Sequence, residues 1–287
     1  MKILLTGSEG MLGRAVRARL AGAHDIVGVD LGDGDLADPA VADGHLAAHA
    51  PAWVLHCAAW TDVDGAETAR DAAMAANGDA TGNLAAACAA RGAGLTLIST
   101  DYVFDGQATV GYREDEPRAP LNHYGATKAA AEAHVERLAT PWQIVRTSWL
   151  FGDGKVNFVK TMRRLLAARE TLDVVDDQRG CPTYADDLAD VLGYLVAGGH
   201  RGVFHATNRG ETTWHALARE VARCLGADPE RIRPCGSRAF PTAARRPAVS
   251  VLLSRRLEDA GCPARPTWQD AVARYVARLE SGDVAHP

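Results

Sequence analysis

A short apolar run, Ile3-Leu4-Leu5-Thr6, stops at a turn with glycines at positions 7, 10 and 13. That junction constrains the fold more than any other stretch of the chain. A brief apolar run bounded by glycine reads as a buried strand, and Val16 and Leu20 then recur at helical spacing. Strand, glycine turn and helix open a βαβ unit. Small residues in the turn let the backbone come close to a pyrophosphate, and the helix N-terminus offers it free N–H groups and a positive dipole end. Gly7-Ser8-Glu9-Gly10-Met11-Leu12-Gly13 therefore reads as the phosphate loop of a dinucleotide site, with Glu9, Met11 and Leu12 lying along the cofactor. The spacing is G-x-x-G-x-x-G rather than G-x-G-x-x-G. Its place after the first strand is the context such a site demands.

A second strand is expected over residues 26–29, and Asp30 follows it. An acid there binds the adenosine ribose hydroxyls and favours NAD over NADP. No Lys or Arg follows until Arg70, so Arg14 is the nearby cation for a 2′-phosphate, and Asp35-Leu36 edge the adenine. Further strands are expected over 53–57, 95–99 and 143–146, separated by a long alanine-rich helix over 66–91 and a loop that becomes a helix over 120–138. Strand alternating with helix means an α/β fold, a Rossmann-like doubly wound parallel sheet. After Trp149 come a helix over 157–169, a strand over 171–175, a helix over 183–196 that returns to the sheet, and helices over 213–225 and 267–279. The expected division is 1–148 with about 172–208 as the NAD(P)-binding domain. About 149–171 with 209–287 then form a smaller α+β substrate-binding lobe, and the site lies in the cleft.

Composition excludes several classes. Apolar residues at 47% and charged residues at 23% suit a soluble globular protein, and a formal charge of −5 lacks the basic excess of a nucleic-acid binder. No apolar run approaches the roughly 20 residues that cross a bilayer, so neither membrane nor leader is expected and the cytoplasm is the expected compartment. Cys57, Cys88, Cys181, Cys224, Cys235 and Cys262 contain no C-x-x-C pair and read as reduced structural thiols. His45 and His49 have ligand spacing on a helix without a third ligand and read as surface residues, so no metal is expected.

Tyr124-Gly125-Ala126-Thr127-Lys128 places a phenol and an ammonium on one helix face. The ammonium is expected to lower the phenol's pKa toward working pH, making it a useful acid or base. Ser99-Thr100-Asp101-Tyr102-Val103-Phe104 ends the fourth strand with a hydroxyl pair. Ligands of open parallel sheets bind at the carboxyl ends of strands, so Thr100 and Tyr124 are expected to converge on one carbonyl beside a nicotinamide.

These elements resemble the extended short-chain dehydrogenase/reductase family, and within it the dTDP-4-dehydrorhamnose reductases. The blocks that carry the closer resemblance include Pro120-Leu121-Asn122-His123-Tyr124, Arg146-Thr147-Ser148-Trp149, Asn157-Phe158-Val159-Lys160-Thr161-Met162, Asp177-Gln178-Arg179-Gly180-Cys181-Pro182-Thr183 and Arg245-Arg246-Pro247. The resemblance implies a catalytic triad of Thr100, Tyr124 and Lys128. It implies a bound NADPH or NADH touched also by Ala58, Ala59, Thr61, Asn77, Tyr124 and Lys128. It further implies a nucleotide sugar held by Thr100, Asp101, Tyr102, Trp149, Asn157, Gln178 and Arg246, with Trp149 beside the deoxysugar. The implied reaction moves a hydride to the C4 keto carbon of dTDP-4-dehydro-L-rhamnose, with the proton from Tyr124.

Other readings stay open: a reductase of another nucleotide 4-keto-6-deoxy sugar, a nucleotide-sugar dehydratase or epimerase, or a dinucleotide-binding regulatory subunit of the methionine adenosyltransferase type. Dehydratases carry Thr-Asp-Glu where this chain has Thr100-Asp101-Tyr102, and a binding subunit does not need the intact triad. At the residue level, Asn157-Phe158 also reads as a helix cap and staple, Trp149 as core, and Arg245-Arg246 as a solvated pair, with Arg231, Arg233 and Arg238 as alternative phosphate partners. Two positions depart from the family pattern. Trp60 stands where relatives more often have Tyr or His. Ala15 stands where some members have a glutamate of a magnesium-bridged dimer, which implies a monomer or weak homodimer here.

Overall fold

The computed structural model describes residues 1–154 and 156–282. Six strands form one sheet: β1 (Lys2–Thr6), β2 (Asp25–Val29), β3 (Trp53–His56), β4 (Gly94–Thr100), β5 (Trp142–Thr147) and β6 (Gly202–His205). Their order is β6-β5-β4-β3-β1-β2, and every pairing is parallel. Strand order reverses between β1 and β3, which opens a crevice above the carboxyl ends of those strands. The expected α/β class is the fold observed.

The main helices are α1 (Met11–Leu20), α2 (Pro39–His49), α3 (Ala80–Arg91), α4 (His123–Val135), α5 (Phe158–Ala168), α6 (Ala185–Ala197), α7 (Trp214–Cys224) and α8 (Trp268–Ser281). Side-chain alternation along the strands feeds two cores. Ile3, Leu5, Leu55 and Val145 pack with α1 and α6 on one face. Leu4, Val54, Leu95 and Ile144 pack with Leu46 of α2, Leu84 of α3 and Val135 of α4 on the other. Burial on both faces explains why these strands are apolar throughout.

Three expectations change. The single helix expected over 66–91 is broken into turns at Gly65–Thr68 and Arg70–Met74, a π-helical turn at Ala75–Asp79, and only then α3. Ala69, at φ −106° and ψ 52°, makes the break. Helix α2 and strand β6 carried too weak a pattern to be expected. The first is capped by Asp38 with Pro39 at its first position, and the second is a four-residue edge strand.

The domain boundaries also shift. Leu172–Val175 pairs with Ile232–Cys235 and buries Leu172 and Val174 in a third core built by α5, α7 and α8, so that strand belongs to the second lobe. The return to the sheet begins at α6. Residues 255–259, expected in the lobe, instead pack Leu257 into the α1–α6 core.

Candidate active site

The glycine turn is shaped by close approach. Gly7 has φ +67°, and a Cβ there would lie 2.6 Å from the Ala58 nitrogen. A Cβ on Gly13 would lie 2.1 Å from the Gly7 carbonyl oxygen. Only glycine allows both contacts. Helix α1 starts at Gly10 with no side-chain cap and no acid in its first turn, so its leading N–H groups remain open for an anion. Asp30 Oδ2 accepts the Glu9 N–H at 2.9 Å and Oδ1 accepts the Leu31 N–H at 2.9 Å, which fixes the carboxylate at the rim of the turn. Glu9 also pairs with Arg14 and Arg17, so the cation nearest the ribose position is already engaged. An uncapped helix start, a turn with glycines at its three points of close approach and a fixed acid at the end of β2 fit a dinucleotide.

The loop after β3 closes against this turn, with the Ala58 N–H donating to Thr6 Oγ1 at 3.3 Å. Ala58 and Ala59 thereby sit beside the glycines, and Thr61 is exposed further out. Asn77 is different. It is 1% exposed, accepts the Trp60 N–H at 2.9 Å, and donates to the Trp60 carbonyl at 3.1 Å and to Thr127 Oγ1 at 2.9 Å. Its amide is committed inside the protein, where it braces the loop against α4. The π-helical turn that carries it makes this reach possible. Asp35 closes its own turn through the Ala37 N–H, while Leu36 is held through its carbonyl by Asn83 of α3. Sequence reasoning missed Asn83.

Thr100 ends β4, and Tyr124 and Lys128 lie in α4. Asn122 caps that helix by accepting the Gly125 N–H at 2.8 Å. A Cβ on Gly125 would lie 2.1 Å from the Tyr102 carbonyl oxygen, so this glycine lets the start of α4 rest on the end of β4. Tyr124 consequently meets Tyr102 edge-on at 5.9 Å between centroids, with the Thr100 hydroxyl beside its phenol. Thr100 and Asp101 are 7% and 3% exposed.

Burial is the leading cause that pushes the Tyr124 phenol well above its ordinary value, and Asp101 adds to it whenever it is ionised. This corrects the expectation that Lys128 lowers it. The phenol is held protonated, the state a proton donor needs. Lys128 is 2% exposed, and burial lowers its pKa to about 8 against the opposing charge of Glu132.

Beneath Lys128 lies a buried ionic cluster that no local spacing announced. Glu132, fully buried one turn along α4, accepts from Ser99 Oγ at 2.5 Å, from Arg146 Nε at 2.9 Å and Nη2 at 2.7 Å, and from Arg118 at 3.0 Å. Burial pushes Glu132 up. The hydrogen bonds and charge of Arg146, with Ser99 and Arg118, outweigh that and hold it below the carboxylate range. Arg146 and Ser99 come from β5 and β4, so the cluster fixes α4 to the strand ends.

On the lobe side, Trp149 has φ +46° and stacks on Trp214 with centroids 3.6 Å apart at 8°. A Cβ at Gly180 would lie 2.4 Å from the Trp149 ring. Gln178 Oε1 accepts the Trp214 indole N–H at 3.2 Å. Trp149 and Gln178 are thus joined through Trp214, which the sequence reading did not single out.

Arg246 lies 5.9 Å from the Tyr102 ring centroid and pairs with Asp64 at 2.6 Å, while Asp64 also accepts the Ala244 N–H at 2.9 Å. Asn157 does not join this group. It caps α5 by accepting the Lys160 N–H at 3.0 Å and donates to the Gly152 carbonyl at 2.8 Å and to the Tyr275 hydroxyl at 3.2 Å. With 8% exposure and its amide engaged, it is a helix cap rather than a sugar contact.

A parallel sheet with a glycine-turn cradle, and a tyrosine and lysine one helical turn apart over the end of β4, defines the extended short-chain dehydrogenase/reductase class. Comparison with known proteins narrows this. The model of the RmlD substrate binding domain matches residues 1–281, and the chain belongs to that family. It is 47% identical to a dTDP-4-dehydrorhamnose reductase of Streptomyces griseus over 96% of this chain and 93% of that protein. It is 42% identical to a dTDP-4-keto-6-deoxy-D-glucose reductase of Streptomyces niveus over 98% of both. The crystal structure of the Bacillus anthracis dTDP-4-dehydrorhamnose reductase in complex with NADP superposes with a TM-score of 0.93 at 36% identity, covering 96% of this chain and 99% of that one.

Proposed function

We propose that this protein reduces the C4 keto group of dTDP-4-dehydro-L-rhamnose to give dTDP-L-rhamnose, using NADPH or NADH. The observation that carries the reading is the convergence of Thr100 and Tyr124 over the end of β4, with Lys128 buried one turn further along α4. Its relatives' named activities point the same way. The glycine turn, Asp30, Ala58 and Ala59 hold the dinucleotide, which when bound supplies the hydride.

The remaining work belongs to the protein. Tyr124, held protonated by its surroundings, gives its proton to the oxygen that gains charge at C4. Thr100 donates a hydrogen bond to the same oxygen. Lys128 would hold the nicotinamide ribose and restore charge balance around the phenol. Trp149 and Trp214 offer a flat apolar wall to the deoxysugar. Gln178 keeps both amide hydrogens for the nucleotide, because the indole N–H can only face Oε1. Arg246 offers a guanidinium to the diphosphate.

The Streptomyces niveus relative supports a second substrate, a 4-keto-6-deoxyglucose nucleotide, on the same machinery. No helix among the described residues is long and apolar enough to cross a membrane. The cytoplasm, where nucleotide sugars are made, is the proposed compartment, and a monomer or weak homodimer the proposed state. The test mixes protein, dTDP-4-keto sugar and NADPH or NADH, and follows the reduced nicotinamide absorbance. Oxidation lost by at least about a hundredfold in Tyr124→Phe supports the reading; no oxidation with either cofactor and either sugar rejects it.

A further inference from the structure

The Thr100 hydroxyl has a single proton, and two groups compete for it. Its Oγ1 lies 2.9 Å from Asp101 Oδ1, and the Tyr124 phenol lies beside it. It accepts the Tyr102 N–H at 3.2 Å. With Asp101 ionised, the Thr100 proton is drawn to Oδ1, and none remains for a ligand oxygen.

The surroundings of Asp101 disfavour that state. The carboxyl is 3% exposed, and its Oδ2 has no hydrogen-bond partner among the described residues. The groups that face it are the Tyr102 phenol on its own turn, the Tyr124 phenol on α4, the Cys181 thiol from the segment after α5, and the Ser250 hydroxyl, none of them a cation. Hydrogen bonds from Ser250, Thr100 and the Asp101 and Tyr102 N–H groups favour the ionised form, but burial outweighs them, and at Oδ2 a neutral carboxyl leaves only a carbonyl unpartnered where an ionised one leaves a charge.

We propose that Asp101 works as a neutral acid, its Oδ1–H donating to Thr100 Oγ1 so that the Thr100 proton is free for the oxygen that Tyr124 protonates. Asp101 is then a positioning residue. It keeps its own proton throughout, and the proton delivered comes from Tyr124. The inference rests on the reductase reading above and deepens it. Burial is the leading cause that raises the Asp101 pKa to about 6, so the working form is lost as pH rises through the neutral range. Lys128, at about 8, and the two phenols bear only on the alkaline side.

The experiment has two readouts. In the first, kcat at saturating substrates is measured from pH 5.5 to 7.5. The wild type is expected to fall by about three- to tenfold, and Asp101→Asn, whose amide donates to Thr100 at every pH, is expected to flatten that fall. In the second, the carboxyl of isotope-labelled Asp101 is titrated by its infrared C=O band in wild type and Thr100→Val. Loss of a bond made by the neutral form moves the titration lower in the valine variant. A fall that persists in Asp101→Asn, a wild-type profile flat over the range, or a titration that moves higher in Thr100→Val overturns the proposal. The last result would mean that Thr100 donates to a charged Asp101. If the wild type turns over no nucleotide keto sugar, the reductase reading fails by itself, and the infrared titration still decides which way the hydrogen bond runs.

Discussion

Lys128 shows how burial turns an ordinary lysine into a pH-sensitive one. Its charge is lost as pH rises through about 8, rather than near 10.5. A hydrogen bond from the ammonium to the nicotinamide ribose is therefore expected to weaken above pH 8. Titration of NADPH binding by fluorescence should show affinity falling about tenfold between pH 7 and 9.5 in the wild type, the worth of one charge-assisted bond. Lys128→Met should bind more weakly at pH 7 and show no such slope. The glycines, Thr100, Tyr124 and Lys128 were legible because each belongs to a short local pattern. Glu132, Arg146, Arg118 and Ser99 were not, since they come from four separate places in the chain and meet only when α4 lies on the sheet. The depressed tyrosine expected from Tyr-x-x-x-Lys failed for a related reason. Spacing shows that an ammonium is near, but not that burial acts more strongly on the phenol.

At the level of elements, caps and breaks decide which side chains face the cleft. Asn157 spends its side chain on the start of α5, on Gly152 and on Tyr275. Asn157→Ala is expected to cost about 1–2 kcal/mol, read as a lower denaturant midpoint, while the KM for the nucleotide sugar moves less than about twofold. Trp149→Ala should reverse the pattern and raise that KM by about tenfold or more, the loss of a stacked aromatic contact. A matching loss of KM in the Asn157 variant would return it to the sugar site. The long alanine-rich stretch illustrates what periodicity cannot see. Alanine favours helix at every position, so nothing in the pattern marks the π-helical turn. That turn exists because Asn77 is anchored at both ends to Trp60 and Thr127.

For the whole molecule, two buried imidazoles make acid the weak side of stability. His56, in β3, is fully buried between Thr6 and Thr81, and burial with the Lys128 charge lowers its pKa to about 3. His205, in β6, is lowered to about 3 by burial and Arg146. Both stay neutral in the fold, while the unfolded chain protonates them near 6.5, so stability falls as pH drops below that value. At pH 5 each should have removed about 2 kcal/mol. Urea midpoints at pH 7 and pH 5 measure this, and a midpoint unchanged over the interval would show that the imidazoles protonate within the fold. The alternation that revealed an α/β chain did not reveal how the two lobes share it, because β6 is four residues long and the return of Leu257 to the first core leaves no local mark.

That late return bears on how the protein is made. The sheet is begun by β1 and β2, yet its edge strand waits for residues 202–205 and one piece of its core for Leu257. The nascent chain must therefore carry a sheet with β5 unpaired on its outer side while α5 is translated, and a first core still lacking Leu257 while α7 is translated. The two lobes are therefore interleaved along the chain rather than strung one after the other.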